Sequence, residues 1–386
     1  MFAENLALIP PDSRDTPRTP GIVPIRAIRT FDPRLLLGDR LGLTLYTLVA
    51  RGLLTSTATP AFEWYERFIH SCGEAAEHSL DTYARLLARL QADGFDPAYP
   101  IYAHPNEFAL QNGAHRCAAA IALGETQVPY HLRFEDDRTP AERFAAVFSP
   151  AELAALETAQ RELIEDCPPE LGIICQIRAH VRAHERSFTA PFSSKTRLPI
   201  LRTYQSSARR GVRGKRSTAD RVEIYGLREI LCRHMRVLEI GCNCGFLTLE
   251  MARLAGHVTA FDVDPNYIAL GTMVQRHFRL TNVAFQTAQV ETFRPSERFD
   301  CVVSCAVHGW ITLPFGAYIQ HLRSMLAPGG FLVFESHELD CHPEWQDQKR
   351  HLLQQFDLVR SGWIDDVDDD VYQSELREFL ILRDRG

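Results

Sequence analysis

The sequence predicts an α/β protein in two parts: a doubly wound, mostly parallel sheet near the C-terminus and a smaller α+β unit before it. Three observations carry this reading. From Arg221 onward, apolar runs of strand length alternate with runs of helix length, the pattern of a sheet covered on both faces. The first of those strands ends in a glycine-punctuated turn, Gly241 to Gly245. A polar, basic stretch with Pro, Gly and Ser throughout separates this pattern from an earlier one of short strands and helices.

The bulk composition fits. A chain of 386 residues has room for two or three domains. It is 45% apolar and 24% charged, as expected of a soluble globular protein. The net charge of -7 argues against a surface given over wholly to nucleic acid. No apolar run is long enough to cross a bilayer, and the first residues lack the basic and apolar segments of a signal peptide, so a cytoplasmic location is expected. The ten cysteines are scattered and read as reduced thiols. Cys242 and Cys244 form C-x-C with no second pair at zinc spacing, so no metal is expected.

In chain order, residues 1–20 read as a loose tail rich in Pro, Asp, Arg and Thr. A short strand leads to a turn at Asp32-Pro33, and helices are expected over Arg40–Arg51, Phe62–Cys72 and Leu80–Phe95, the last capped by Asp81 and stopped by Gly94. Strands at YPIYAHP and EFALQNG precede a helix over residues 114–123 and a strand VPYHLRF, completing a unit over 21–145. Residues 146–219 read as a linker: a helix opened by Ser149-Pro150, a second over Leu171–His184, then the basic stretch. Over 220–386 the strands are RVLEIGC, HVTAFDVD, NVAFQTAQ, FDCVVSCAV and FLVFESH, with DLVRSGWIDD and REFLILRDR as a final antiparallel pair.

The turn Glu239-Ile240-Gly241-Cys242-Asn243-Cys244-Gly245-Phe246 permits a sharp strand-to-helix connection and close approach of a ligand to backbone. Asn243 stands where a third glycine is common, and Asn tolerates positive φ. Asp262 ends the next strand, where an acid can accept hydrogen bonds from ribose hydroxyls. With HVTAFDVDPNYIALG, FDCVVSCAVHGWI and LAPGGFLVFES at their intervals, residues 220–386 resemble the class I S-adenosylmethionine-dependent methyltransferases, whose sheet is Rossmann-like. The resemblance implies S-adenosylmethionine as cofactor. Gly241, Cys242, Asn243, Gly245 and Phe246 would hold its amino-acid end, oriented by Glu239. Asp262 and Val263 would face the ribose, Gln289 and Val290 the adenine, and Ser304 the same pocket.

A hydroxyl acceptor needs its proton removed, and the carboxyl edge of the sheet is where to look. His308 and His337 are base candidates there, with Glu335 as an orienting partner and Trp310 as a pocket wall. Packing or capping is the alternative for both histidines. Glu335, His337, Asp340 and His342 are too irregularly spaced to favour a metal, and the run Asp365, Asp366, Asp368, Asp369, Asp370 reads as a solvated loop. CAVHGW is unlike the N-P-P-Y motif of amino-methylating enzymes, and Cys301 and Cys305 sit in an apolar strand, unlike a cytosine-C5 nucleophile.

NGAHRCAAAIALGETQVPY resembles the ParB/sulfiredoxin-like fold through Gly113, His115, Arg116, Ala118-Ala119, Leu123-Gly124 and Val128-Pro129. That resemblance implies a phosphate- or nucleotide-binding turn at a helix N-terminus, with Arg116 as a forked donor. Asn112 departs from the usual acid, no catalytic cysteine is evident, and His115 and Arg116 serve equally well to tie helix to sheet. Arg202, Arg209, Arg210, Arg213, Lys215, Arg216 and Arg221 suit an anionic acceptor or a solvated linker, and Tyr204 and Tyr225 could close over the cofactor. The stretches GCN-x-GF and AVHGWI also resemble methyltransferases of surface-polysaccharide biosynthesis, which implies O-methylation of a sugar, phosphosugar or other polar small molecule. A natural-product tailoring enzyme or a nucleic-acid methyltransferase using the first unit as a clamp are the alternatives.

Overall fold

The structure is a computed structural model, and it describes residues 29–38, 41–73, 78–103, 110–132, 141–190, 200–201, 203–207, 212, 214–339, 342–365 and 376–386. The expected tail over 1–20, Arg202, Arg209, Arg210, Arg213, Asp340, Asp366, Asp368, Asp369 and Asp370 lie outside them. The chain forms two compact units, 1–185 and 186–386.

The first unit has strand β1 (Arg29–Phe31), helices α1 (Leu41–Thr55), α2 (Pro60–Ser71) and α3 (Leu80–Asp93), strands β2 (Ile101–Ala103) and β3 (Leu110–Asn112), α4 (Ala114–Leu123), β4 (Val128–Leu132), and helices α5 (Ala141–Val147), α6 (Pro150–Glu165) and α7 (Pro169–Ala183). Its sheet runs β1-β4-β2-β3, with β4 antiparallel to β1 and parallel to β2. Ser79, not Asp81, caps α3: its side chain accepts from Thr82 N–H at 3.2 Å, while Asp81 stands in the first turn. Gly94 ends that helix with φ 74°. At α6, Ser149 and Glu152 form a reciprocal capping box ahead of Pro150 in the first turn. Both α6 and α7 fall within the first unit and bury Leu156, Leu163, Ile173, Ile174 and Ile177, so the expected linker is folded over this part.

The second unit opens with β5 (Thr189–Ala190), β6 (Ile200–Leu201), β7 (Thr203–Ser206), β8 (Gly214–Ser217), α8 (Thr218–Ile224) and α9 (Leu227–Ile230). Among the described residues of the basic stretch, two arginines are buried and not solvated. Arg216, on β8 paired in parallel with β7, is 0% exposed, and Arg221, on α8, is 2% exposed. There follow β9 (Arg236–Ile240), α10 (Phe246–Met251), β10 (His257–Asp262), α11 (Pro265–His277), β11 (Val283–Thr287), β12 (Phe299–Cys305), α12 (Phe315–Met325), β13 (Leu326–Glu335), α13 (Trp345–Gln355), β14 (Phe356–Ile364) and β15 (Arg377–Asp384).

Their sheet runs β11-β10-β9-β12-β13-β15-β14. The first five strands are parallel, and β15 lies antiparallel between β13 and β14. Val237, Leu238, Val302, Val303, Leu332 and Val333 are fully buried, as expected for parallel strands covered on both faces. Chain order reverses between β9 and β12, so the carboxyl ends of these strands open a crevice at that point.

Candidate active site

The crevice begins with the turn after β9. Gly241 has φ 66°, Asn243 φ 50° and Gly245 φ 72°, three left-handed residues in five. A Cβ on Gly241 would lie 2.7 Å from Val307 Cγ2 and one on Gly245 2.4 Å from Phe285, so neither position tolerates a side chain. Asn243 occupies the left-handed region as the sequence led us to expect, and its Oδ1 is buried without a hydrogen-bond partner. Asp262 accepts from Asn243 N–H at 2.8 Å and from Asp264 N–H at 3.1 Å, which locks the carboxylate to the turn. Burial raises its carboxyl above the ordinary value against the pull of those backbone donors. Val263 beside it is 64% exposed.

Glu239 lies below the turn and accepts from Thr248 Oγ1 of α10. Burial pushes its carboxyl up to about 8, against the Thr248 hydrogen bond and the Arg221 charge. An open glycine cradle, an orphaned buried acceptor and a fixed carboxylate at the next strand end fit the amino-acid and ribose ends of S-adenosylmethionine. Gly241, Asn243, Gly245, Asp262 and Val263 would hold it.

Other expected contacts are redistributed. Cys242 is buried against Ala260 and Ile268, and Phe246 is fully buried, so each can offer a ligand only backbone. Phe246 N–H is itself taken by Gln205 Oε1 of β7 at 2.9 Å. Ser304 turns inward to Tyr318 Oη at 2.8 Å and is fully buried. Val290 is in the core, while Gln289 is exposed and its carbonyl accepts from Phe293 N–H at 3.0 Å.

The carboxyl ends of β12 and β13 bring His308, His337 and Trp310 together. The two histidine rings are 4.5 Å apart, and His337 lies 4.7 Å from His342. The two histidines differ in what occupies their ring nitrogens: His308 Nδ1 is buried without a hydrogen-bond partner. His337 Nε2 accepts Gly309 N–H at 2.8 Å, so its lone pair is engaged, and its pKa is lowered to about 4 by burial first, then by Arg377 and His342. His308 is lowered to about 3, by burial and then by His337 and His342. Gly309 is required here, since a Cβ would lie 2.6 Å from His337 Nε2. Trp310, 84% exposed, stands at the rim. Among the described residues no group of three or more His, Cys, Asp or Glu is placed to hold a metal.

Glu335 is not the histidines' orienting partner. It is fully buried and accepts from Arg377 Nη1 at 2.8 Å, Arg221 Nη2 at 3.2 Å and Tyr225 Oη. Tyr225 is fully buried with its ring 5.0 Å from Phe379, which removes it from any acceptor surface. Arg377 also donates to Tyr204 Oη at 3.2 Å. This cluster of Arg216, Arg221, Arg377, Glu335, Tyr204 and Tyr225 went unread as a unit, because its members lie in three segments far apart in sequence. Arg377 carried no signal beyond a charge at the start of a strand.

In the first unit Gly113 starts α4 with φ 92°. His115 stacks on Tyr46 at 4.4 Å and on His78 at 4.7 Å, and its Nε2 is 2.9 Å from Tyr65 Oη. Burial, then the nearby His78, lowers its pKa to about 3. Arg116 Nη1 donates to Tyr99 O at 2.5 Å. Both side chains thus make packing or hydrogen-bond contacts within the first unit.

Residues 213–373 match the family model for a methyltransferase domain. Malonyl-[acyl-carrier protein] O-methyltransferase of Bacillus cereus is 29% identical over 121 residues, covering 30% of this chain and 44% of that protein. Ubiquinone biosynthesis O-methyltransferase of Cereibacter sphaeroides is 28% identical over 155 residues, covering 35% and 62%. The chain thus spans about half the length of these curated relatives. Among solved structures, the N-methyltransferase NodS of Bradyrhizobium japonicum in complex with S-adenosyl-L-homocysteine aligns with TM-score 0.37 and 23% identity over 44% of this chain and 87% of that one. Residues 213–373 thus carry a methyltransferase domain, an enzyme domain.

Proposed function

We propose, on the premise of that domain, that the whole chain O-methylates a polar small molecule such as a sugar or phosphosugar. The observation that carries this reading is the concentration of polar and charged groups at the carboxyl edge of the sheet, beside the turn that would hold the cofactor. Arg221, Arg377, Glu335 and Tyr204 form one hydrogen-bonded cluster there, and His308 and His337 pair at the ends of β12 and β13. The two relatives named above are both O-methyltransferases, which agrees with an oxygen acceptor.

When bound, the cofactor supplies an electrophilic methyl on a sulfonium. The chain's own residues position and exclude water. Asp262 and the Gly241–Gly245 turn fix one side of the crevice. The bond from Gly309 N–H to His337 fixes the turn that carries His308 and Trp310 on the other. No helix among the described residues is long and apolar enough to cross a membrane. For the first unit, the resemblance to a ParB/sulfiredoxin-like fold supports a binding role.

Incubating the pure chain with methyl-labelled S-adenosylmethionine and a fractionated bacterial extract tests the reading. Label in the glycan or small polar fraction is the expected result. Label confined to RNA or DNA would overturn it and favour a nucleic-acid acceptor.

A further inference from the structure

Methylating a hydroxyl requires a proton acceptor, and His337 offers its Nε2 already engaged by Gly309 N–H. Glu335 is already held by two arginines and Tyr225. Tyr204 stands differently. It lies on β7, whose next residue, Gln205, accepts Phe246 N–H at the start of α10. The Cys244 thiol hydrogen-bonds the Tyr204 backbone. The strand is therefore pinned against the cofactor turn, and the Tyr204 side chain runs from there toward the carboxyl edge. Its Oη accepts from Arg377 Nη1, the same nitrogen that donates to Glu335. The Tyr204 residue keeps partial exposure where Tyr225 is wholly enclosed.

The charged groups that face the phenol are Arg377, Arg216 and Arg221, opposed by Glu335. Three guanidinium groups favour an anionic oxygen. Burial resists that, yet the arginines prevail and the phenol falls below its ordinary value of 10.0.

We propose that Tyr204 is the catalytic base, its oxygen held by Arg377 and facing the acceptor's reacting hydroxyl. This rests on the methyltransferase reading above. As the acceptor oxygen bonds the methyl carbon, the carbon–sulfur bond breaks with its electron pair left on sulfur. The hydroxyl proton passes to the Tyr204 phenolate and later to solvent. Arg377 and its partners favour the phenolate over the phenol, which is the form that accepts the proton.

The first test needs no acceptor. The near-ultraviolet absorbance of tyrosinate is followed through an alkaline titration of the full chain and of Tyr204→Phe. One of the eleven tyrosines should ionise below the ordinary value in the wild type and vanish from the titration of the variant. If no tyrosine ionises early in the wild type, the proposal fails, whatever the variant does.

The second test uses S-adenosylhomocysteine calorimetry and the labelled extract fraction. Tyr204→Phe should keep its affinity for S-adenosylhomocysteine within about two-fold and lose about 100-fold in rate of label incorporation. Undiminished labelling overturns the proposal. Weakened S-adenosylhomocysteine binding with labelling intact at saturating donor also overturns it and places Tyr204 in the cofactor pocket. Failure of the wild type to bind S-adenosylhomocysteine at all would sink the underlying reading instead, and is seen separately.

Discussion

Two helices in this chain begin in the same way and do different things. Gly113 before α4 and Gly245 before α10 are both left-handed and both lack a side-chain cap. At Gly245 the turn is backed by Phe285 and Val307, Gly241 and Asn243 share the left-handed region, and the unpartnered Asn243 Oδ1 and the Asp262 carboxylate border it. At Gly113 the chain's own side chains fill the space, with Arg116 reaching back to Tyr99 and His115 sunk among Tyr46, Tyr65 and His78. A glycine at a helix start permits close approach, but neighbouring side chains decide whether a ligand or the protein makes that approach.

The sharpest way to break this contrast is Asp262→Ala. Removing the charged acceptor should weaken S-adenosylhomocysteine binding by about 10- to 100-fold, the scale of a lost hydrogen bond to a charged group, as read by calorimetry. Arg116→Ala in the other turn should leave that affinity unchanged. A loss of equal size at Arg116 would erase the distinction. Gly309→Ala follows in size. Its methyl would meet His337 and displace the turn bearing His308, costing about 1–3 kcal/mol in stability by overpacking, measurable by denaturant unfolding. Gly113→Ala should cost about 1–2 kcal/mol through its positive φ, with a tight approach to Ile101 adding to it, and leave labelling activity intact.

A separate effect distinguishes the units by pH. His115 binds its proton less tightly folded, at about 3, than at its ordinary 6.5. The unfolded chain therefore takes up protons first, and stability is retained above 6.5 and lost as pH falls toward 3. The limiting slope is about 1.4 kcal/mol per pH unit for one such group. His115→Phe keeps an aromatic ring in the stack and should flatten the acid limb of the first unit's unfolding. An unchanged limb would mean that His115 titrates normally and is open to a ligand after all.

How much of this was legible depended on where the physical signal sits. The parallel strands announce themselves, because Val237-Leu238 and Val302-Val303 are apolar on both faces. Asp262 and the Gly241–Gly245 turn are local in sequence, so their shape followed from residue type. Helix α13 was missed: its sequence, WQDQKRHLLQQ, is mostly polar and buries only Trp345 and Leu352 on its inner side. The stretch around Arg216 was misread because basic composition resembles solvated linker until strand alternation is weighed. Glu335 was located correctly but given the wrong partners, since Arg221 and Arg377 reach it only through tertiary folding. The histidines were found, while their burial and the Gly309 bond to His337 could not be read from spacing.

The placement of β15 has a consequence for synthesis. A ribosome makes β14 first, yet in the finished sheet β15 separates β14 from β13. About 20 further residues must emerge after β14 before the gap can be filled, a wait of about 1–4 s at bacterial or eukaryotic elongation rates. During that time β13 presents an open edge carrying Phe334 and Val333, which end fully buried. The nascent second unit should be a better chaperone client than the finished one.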